Sequence, residues 1–159
     1  MSTQKIIELF TQADELWKQR GTAWRKHEKV FRAMHPEPPP GLPWSQGYSQ
    51  EEREEYARSH DACHQYYMRM MDLATNQSDA KDLLEKRNAL VKEGLDLLGP
   101  LTKDRIVGEA PGGQPCPKCK AQGFSIPNIV DDKQCNAHSR MAFCTADSNH
   151  LIRWLPWGG

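Results

Sequence analysis

The chain has 159 residues, 38% of them hydrophobic, and its 21 basic and 21 acidic side chains leave no formal net charge at pH 7. This composition fits one or two small domains rather than a large enzyme core, and the balanced charge argues against a chain-wide attraction to nucleic acid or membrane. Because the sequence has no secretory leader pattern and no apolar run near the roughly 20 residues of a membrane span, we expect a cytoplasmic protein without membrane contact.

The first predicted element is a helix over residues 3–34, in which apolar residues recur in alternating steps of four and three. Its aromatic stripe comprises Phe10, Trp17, Trp24 and Phe31. A stripe of this kind predicts a core-facing side, so we expect Trp17→Ala to destabilise the fold strongly. The alternative is that the stripe binds a second copy of the chain and forms a homodimer through this helix.

Two further helices are predicted after a proline-rich break at residues 35–47. Ser49 and Glu52 form a capping box at the start of the second helix, and Gly99 ends the third. A short turn joins these two helices, which predicts that they pack antiparallel. We therefore expect a three-helix bundle over residues 1–99.

Residues 100–115 are rich in glycine and proline and are predicted to be a flexible linker to a separate module at residues 116–159. That module begins with Cys116 and Cys119, a C-x2-C pair whose thiolates can occupy two corners of a zinc tetrahedron. The later candidate ligands are Cys135, His138, Cys144 and His150. One structural zinc ion is predicted, and a chelator is expected to unfold this module while the helices persist.

Three short strands are predicted in the module, at residues 124–130, 140–143 and 151–155, and the last two would form a hairpin. The loop of this hairpin contains Cys144 and His150 and would supply the second pair of ligands. The alternatives are Cys135 with His138, or Cys135 with Cys144, because spacing alone does not fix the second turn.

This order of turns and strands over residues 114–157 resembles the zinc-ribbon family, and it is similar to the repeated ribbons at the end of type I DNA topoisomerases. His150 stands where those ribbons usually have a cysteine. The resemblance implies a three-stranded β fold around one zinc ion, and it implies no activity.

A second set of potential ligands lies on the predicted second helix, where His60, Cys63 and His64 are within one turn of each other. They coincide with its predicted core stripe, which comprises Tyr56, His60, Cys63, Tyr67, Met70 and Ala74. A catalytic metal would need a third ligand such as His27 or His35. A metal-dependent hydrolase is therefore an alternative, but no enzyme motif is present and we expect no catalysis.

The sequence is best explained as a non-catalytic adaptor that docks onto a protein partner in a nucleic-acid-processing assembly. The aromatic candidates for docking are Phe124, Trp154 and Trp157, and the cations around them are Lys118, Lys120 and Arg153. The alternative is direct nucleic-acid binding by the ribbon together with the basic half of the first helix.

Overall fold

The computed structural model describes residues 2–130 and 140–155. Three helices come first, namely α1 (Thr3–Met34), α2 (Gln50–Thr75) and α3 (Ser78–Leu98). Four strands follow, namely β1 (Ile106–Ala110), β2 (Gly123–Ser125), β3 (Met141–Cys144) and β4 (Leu151–Trp154). The predicted class, a mainly helical N-terminal part followed by a small C-terminal sheet, is confirmed. None of the described helices has the length and apolarity needed to cross a membrane.

The helix boundaries have local causes that the sequence predicts. The Ser49 side chain accepts a hydrogen bond from the Glu52 N–H, and the Glu52 side chain accepts one from the Ser49 N–H. This reciprocal pair satisfies two amide groups that have no partner within α2. At the end of α3, Gly99 has a φ of 82°, a left-handed conformation that glycine adopts without steric cost.

The chain divides into two compact units. One unit, here the sheet unit, combines Met1–Lys18 with Leu83–Gly159, and the other, here the helical unit, consists of Gln19–Asp82. Helix α1 contributes residues to both units. The boundaries near residues 99 and 116 stay a prediction about which segments fold independently.

The sheet has the strand order β1-β4-β3-β2, in which β1 is parallel to β4 and the other neighbours are antiparallel. The β3–β4 hairpin is confirmed, but the expectation of three strands is wrong because β1 adds a fourth. Strand β1 lies within the predicted linker. Strand β1 pairs in parallel with β4, which lies more than 40 residues later, so no pattern of neighbouring residues in the sequence indicates this pairing. A register shift between Ile106 and Gly108 also interrupts the pairing.

The two faces of the sheet pack against different parts of the sheet unit. On one face, Phe143 and Leu151 form a buried cluster with Ile6, Phe10 and Leu98 from the first half of α1 and the end of α3. The opposite face carries Ala142, Cys144 and Ile152, which are buried together with Ala110 and Cys116. Because side chains alternate along a strand, Phe143 packs against the helices, whereas its neighbours Ala142 and Cys144 pack on the opposite face with Cys116. The buried residues of this second face are here called the cysteine cluster.

The aromatic stripe of α1 is only partly core. Phe10 and Phe31 are buried, whereas Trp17 is 38% exposed and lies under the guanidinium of Arg87, 5.3 Å from its ring centroid. The exposure of Trp17 therefore does not support the strong destabilisation expected from Trp17→Ala. Phe10 is buried, so its side chain contributes more to the core than that of Trp17.

In the helical unit, the buried cluster consists of Phe31, Tyr66 and Met70. The predicted stripe of α2 is right at Met70 and Ala74, which are buried, and wrong at Tyr67, because Tyr66 is the buried tyrosine. Tyr67 is instead exposed, and its hydroxyl donates a 2.7 Å hydrogen bond to Glu37.

Candidate metal centre

The first cysteine pair lies on a tight turn that the backbone fixes. The Cys116 N–H donates to the Ala121 carbonyl at 2.8 Å, and the Lys120 N–H donates to the Cys116 carbonyl at 2.9 Å. Lys120 has a φ of 61°, which reverses the chain after Cys119. The Cys119 N–H lies 3.5 Å from the Cys116 sulfur and donates to it, so the turn offers a hydrogen bond to a thiolate.

The second pair lies on the turn between β3 and β4. The Cys144 N–H donates to the His150 carbonyl at 2.9 Å, and the His150 N–H donates to the Asp147 carbonyl at 3.0 Å. The two turns are joined directly, because the Thr145 N–H and hydroxyl both donate to the Gln122 carbonyl, at 3.0 and 2.8 Å. These bonds hold the two ligand pairs in register.

Cys116, Cys119, Cys144 and His150 converge so that one ligand atom of each lies within 4.8 Å of all the others. Around a zinc ion with Zn–S bonds of about 2.3 Å, the edges of the tetrahedron would measure about 3.8 Å, so small shifts suffice to close it. Within residues 2–130 and 140–155, no other group brings together three or more such ligands this closely. The centre can therefore hold a metal ion.

The thiols influence one another's ionisation. Desolvation, and then the neighbouring groups Cys144 and Cys116, raise the pKa of Cys119 to about 11. Burial opposes ionisation of Cys116, but hydrogen bonds from the backbone of Cys119 and Lys118 and from nearby thiols outweigh it and lower its pKa. Three thiolates this close together repel one another, and a bound cation removes that repulsion.

His150 is held between the cysteines and an acidic residue. Its Nδ1 lies 3.1 Å from the Cys119 sulfur, and its Nε2 lies 3.4 Å from an Asp147 carboxylate oxygen. The other Asp147 oxygen accepts a 3.0 Å hydrogen bond from the Asn149 N–H. An imidazole that bonds a carboxylate through one nitrogen directs the other nitrogen at a metal. Asp147 is absent from the sequence prediction, although its position three residues before His150 is a usable signal.

The alternative ligands Cys135 and His138, and the predicted docking residue Trp157, lie outside the described residues. Among the other predicted docking residues, Lys118, Lys120 and Arg153 are exposed.

The two described aromatic candidates are half-buried. Phe124 packs against Phe10 and Phe143, with ring centroids 6.3 and 5.4 Å apart. Trp154 packs against the cysteine cluster, with the Arg140 guanidinium 5.4 Å from its ring centroid. Much of both rings therefore stabilises the sheet unit.

The second set of potential ligands is not a core cluster. His60 and His64 are exposed on α2, and Cys63 is half-buried beside Pro38–Pro40. Of the suggested third ligands, His27 bonds Asp79 at 2.7 Å, and the ring of His35 packs against Phe31 at 4.6 Å.

Comparison of the chain with protein-family models, with curated proteins and with solved structures finds no match. Its function is therefore inferred from the geometry of the centre and from the surface around it.

Proposed function

We propose that Cys116, Cys119, Cys144 and His150 bind one zinc ion and that this zinc is structural. Three thiolates and one imidazole form a soft donor set, which favours zinc over magnesium or calcium. Four protein ligands complete the tetrahedron and leave no position for substrate or water, as in structural sites. The zinc-ribbon resemblance of this segment agrees with that role.

Zinc content of single variants tests this ligand set. We expect one zinc per wild-type chain, and loss of tight binding in Cys116→Ala, Cys144→Ala and His150→Ala. Cys63→Ala is the matched control, because that thiol lies on α2 and should not affect zinc. Tight zinc retained by Cys144→Ala but lost by Cys135→Ala would refute the proposed set and favour Cys135 with His138.

The function that this centre supports best is a non-catalytic adaptor that docks onto a protein partner. The large apolar side chains of the helical unit that are 42–71% exposed include Val30, Met34, Met68, Met71 and Leu73. Val30 with Met34, and Met68 with Met71, share a helix face by their spacing. Exposed methionines adapt to the shape of a partner and are frequent at protein-binding surfaces.

The charged groups favour a protein partner over nucleic acid. On the basic half of α1, Lys18 pairs with Asp14 at 3.2 Å, and Arg32 pairs with Glu28 and Glu37, both at 3.2 Å. Cations neutralised within the chain contribute little to phosphate binding. The topoisomerase-like pattern of the ribbon suggests a nucleic-acid-processing assembly as the setting, and thiolate ligands suit a reducing compartment such as the cytoplasm.

Two binding measurements test the adaptor function. Met68→Glu with Met71→Glu should abolish capture of a protein partner from a lysate of the native host, whereas Ala62→Glu, also exposed on α2, should not. Titration with single- and double-stranded oligonucleotides should show only weak binding. Tight oligonucleotide binding that falls steeply with salt would refute a protein-only role and favour direct nucleic-acid binding.

A further inference from the structure

The exposed face of α2 carries two imidazoles, those of His60 and His64, which are not ligands of the proposed zinc ion. His60 and His64 are one helical turn apart, their ring centroids are 6.4 Å apart, and their planes differ by 5°. His60 also stacks on Tyr56, with centroids 5.9 Å apart. In the described part of the chain, neither imidazole takes part in a hydrogen bond or an ion pair. Their nitrogen lone pairs are therefore open to a ligand from solution.

We propose that His60 and His64 form a second metal site, which takes one borderline divalent cation of the zinc and nickel class. Neutral imidazole is a preferred ligand of these ions, and two imidazoles one turn apart on a helix can bind the same ion. Because both side chains are exposed, rotation about their own bonds can bring one nitrogen of each ring to the ion without a backbone change.

The lone pair of an imidazole nitrogen lies in the plane of the ring, so the contact of Tyr56 with a face of His60 leaves the nitrogens of His60 open. The ion would lie between His60 and His64, whose rings are neighbours on the same helix face. Cys63 faces the space beside Pro38–Pro40 and Tyr67 instead. The site thus has two protein ligands, and water completes the coordination.

This second site differs from the cysteine centre in exposure and ligand number. Cys116 and Cys144 are fully buried, whereas both histidines of α2 are in contact with solvent. Two ligands hold an ion less tightly than four, so the ion at α2 exchanges while the ion at the cysteine centre stays. The open coordination positions can also accept a donor from another molecule.

Nickel titration of the zinc-loaded full chain tests this site. We expect calorimetry to show one Ni²⁺ bound per chain while zinc content stays constant. His60→Gln and His64→Gln should each weaken nickel binding by about tenfold or more, since one imidazole replaces a two-imidazole chelate. His35→Gln, which removes a histidine from elsewhere in the helical unit, should leave the affinity unchanged.

A spacing variant separates a chelate from independent histidines. The double variant His64→Gln/Gln65→His keeps the number of histidines but moves the second imidazole to a different helix face, so we expect it to lose the site. Circular dichroism should show unchanged helix content in the α2 variants, because His60, His64 and Gln65 are exposed. Nickel affinity in the spacing variant equal to wild type would overturn the proposal, as would nickel that binds only by displacing zinc.

Discussion

Asp147 lies beside the Nε2 of His150 while the Nδ1 of the same ring faces Cys119. At the scale of single residues, this arrangement leaves Nδ1 on the side of the cysteines, where it would be available to a metal ion. A carboxylate in this position also increases the basicity of the ligand nitrogen. Cys116 and Cys119 were predictable from their spacing, and Cys144 and His150 from the predicted hairpin loop. Asp147 was missed although it precedes His150 by three residues, because an acidic residue in a turn has many ordinary roles.

We expect Asp147→Asn to weaken zinc binding by about 10–100-fold without preventing it, because all four ligands remain and only their orientation is affected. Competition with a chromophoric chelator measures this change. Asn149→Ala is the control, since Asn149 contributes its backbone N–H to Asp147 and should keep wild-type affinity. Equal affinities of Asp147→Asn and wild type would show that the carboxylate does not support His150.

Asp79 in the helical unit links stability to pH. The hydrogen bond from His27, and then the one from the Ala80 N–H, hold the pKa of Asp79 below its ordinary value of 3.8. A carboxyl whose pKa is lowered by folding stabilises the fold above its unfolded pKa and loses that effect as pH falls through its folded pKa. We expect wild type to be more stable than Asp79→Asn at pH 5, and the difference to decrease as pH falls below 3.8 and through the lowered pKa of Asp79. Urea unfolding at a series of pH values measures it, and a difference that persists at pH 2 would contradict this assignment.

At the scale of whole elements, local signals were reliable and long-range pairing was not. The capping box and the terminal glycine located the ends of α2 and α3 because they act within a few residues. Strand β1 escaped prediction because its partner β4 lies far along the chain and because a glycine-rich segment has low strand propensity. The exposure of Tyr67 was not predicted, because Tyr66 and Tyr67 fit the helical period of the apolar residues almost equally well.

Gly94 shows a close approach of α3 to α1 in the sheet unit. A Cβ atom at this buried glycine would lie 2.4 Å from the Phe10 ring, and that ring is already packed against Phe124 and Phe143. We expect Gly94→Ala to lower the free energy of unfolding by about 1–3 kcal/mol through overpacking, despite the better helix propensity of alanine.

Gly21 in α1 is the matched control for this prediction. Its nearest neighbour would be the flexible end of the Arg25 side chain, 3.4 Å away. Gly21→Ala should therefore raise the free energy of unfolding by about 0.5–1 kcal/mol. Denaturant titration of both variants measures the contrast, and a stabilised Gly94→Ala would mean that α1 and α3 do not approach this closely.

At the scale of the whole molecule, the sheet unit joins the cysteine centre to the helices. Cys144 belongs to the buried cysteine cluster, whereas the preceding residue, Phe143, is buried among Ile6, Phe10 and Leu98. Binding of zinc to the folded chain should therefore stabilise the first half of α1 and the end of α3 as well as the strands. The sequence led us to expect separate folding of residues 116–159, because a metal motif after a glycine-rich segment resembles an independent module.

Hydrogen exchange before and after zinc removal tests this account most directly. When a chelator removes the zinc, we expect amide protection to fall in β3 and β4 and also in α3 and residues 3–18, while α2 keeps its protection. Restoring one zinc per chain should restore protection in all of these segments. Loss of protection confined to the strands, with α3 unchanged, would contradict the account and would mean that the metal module folds independently of the helices.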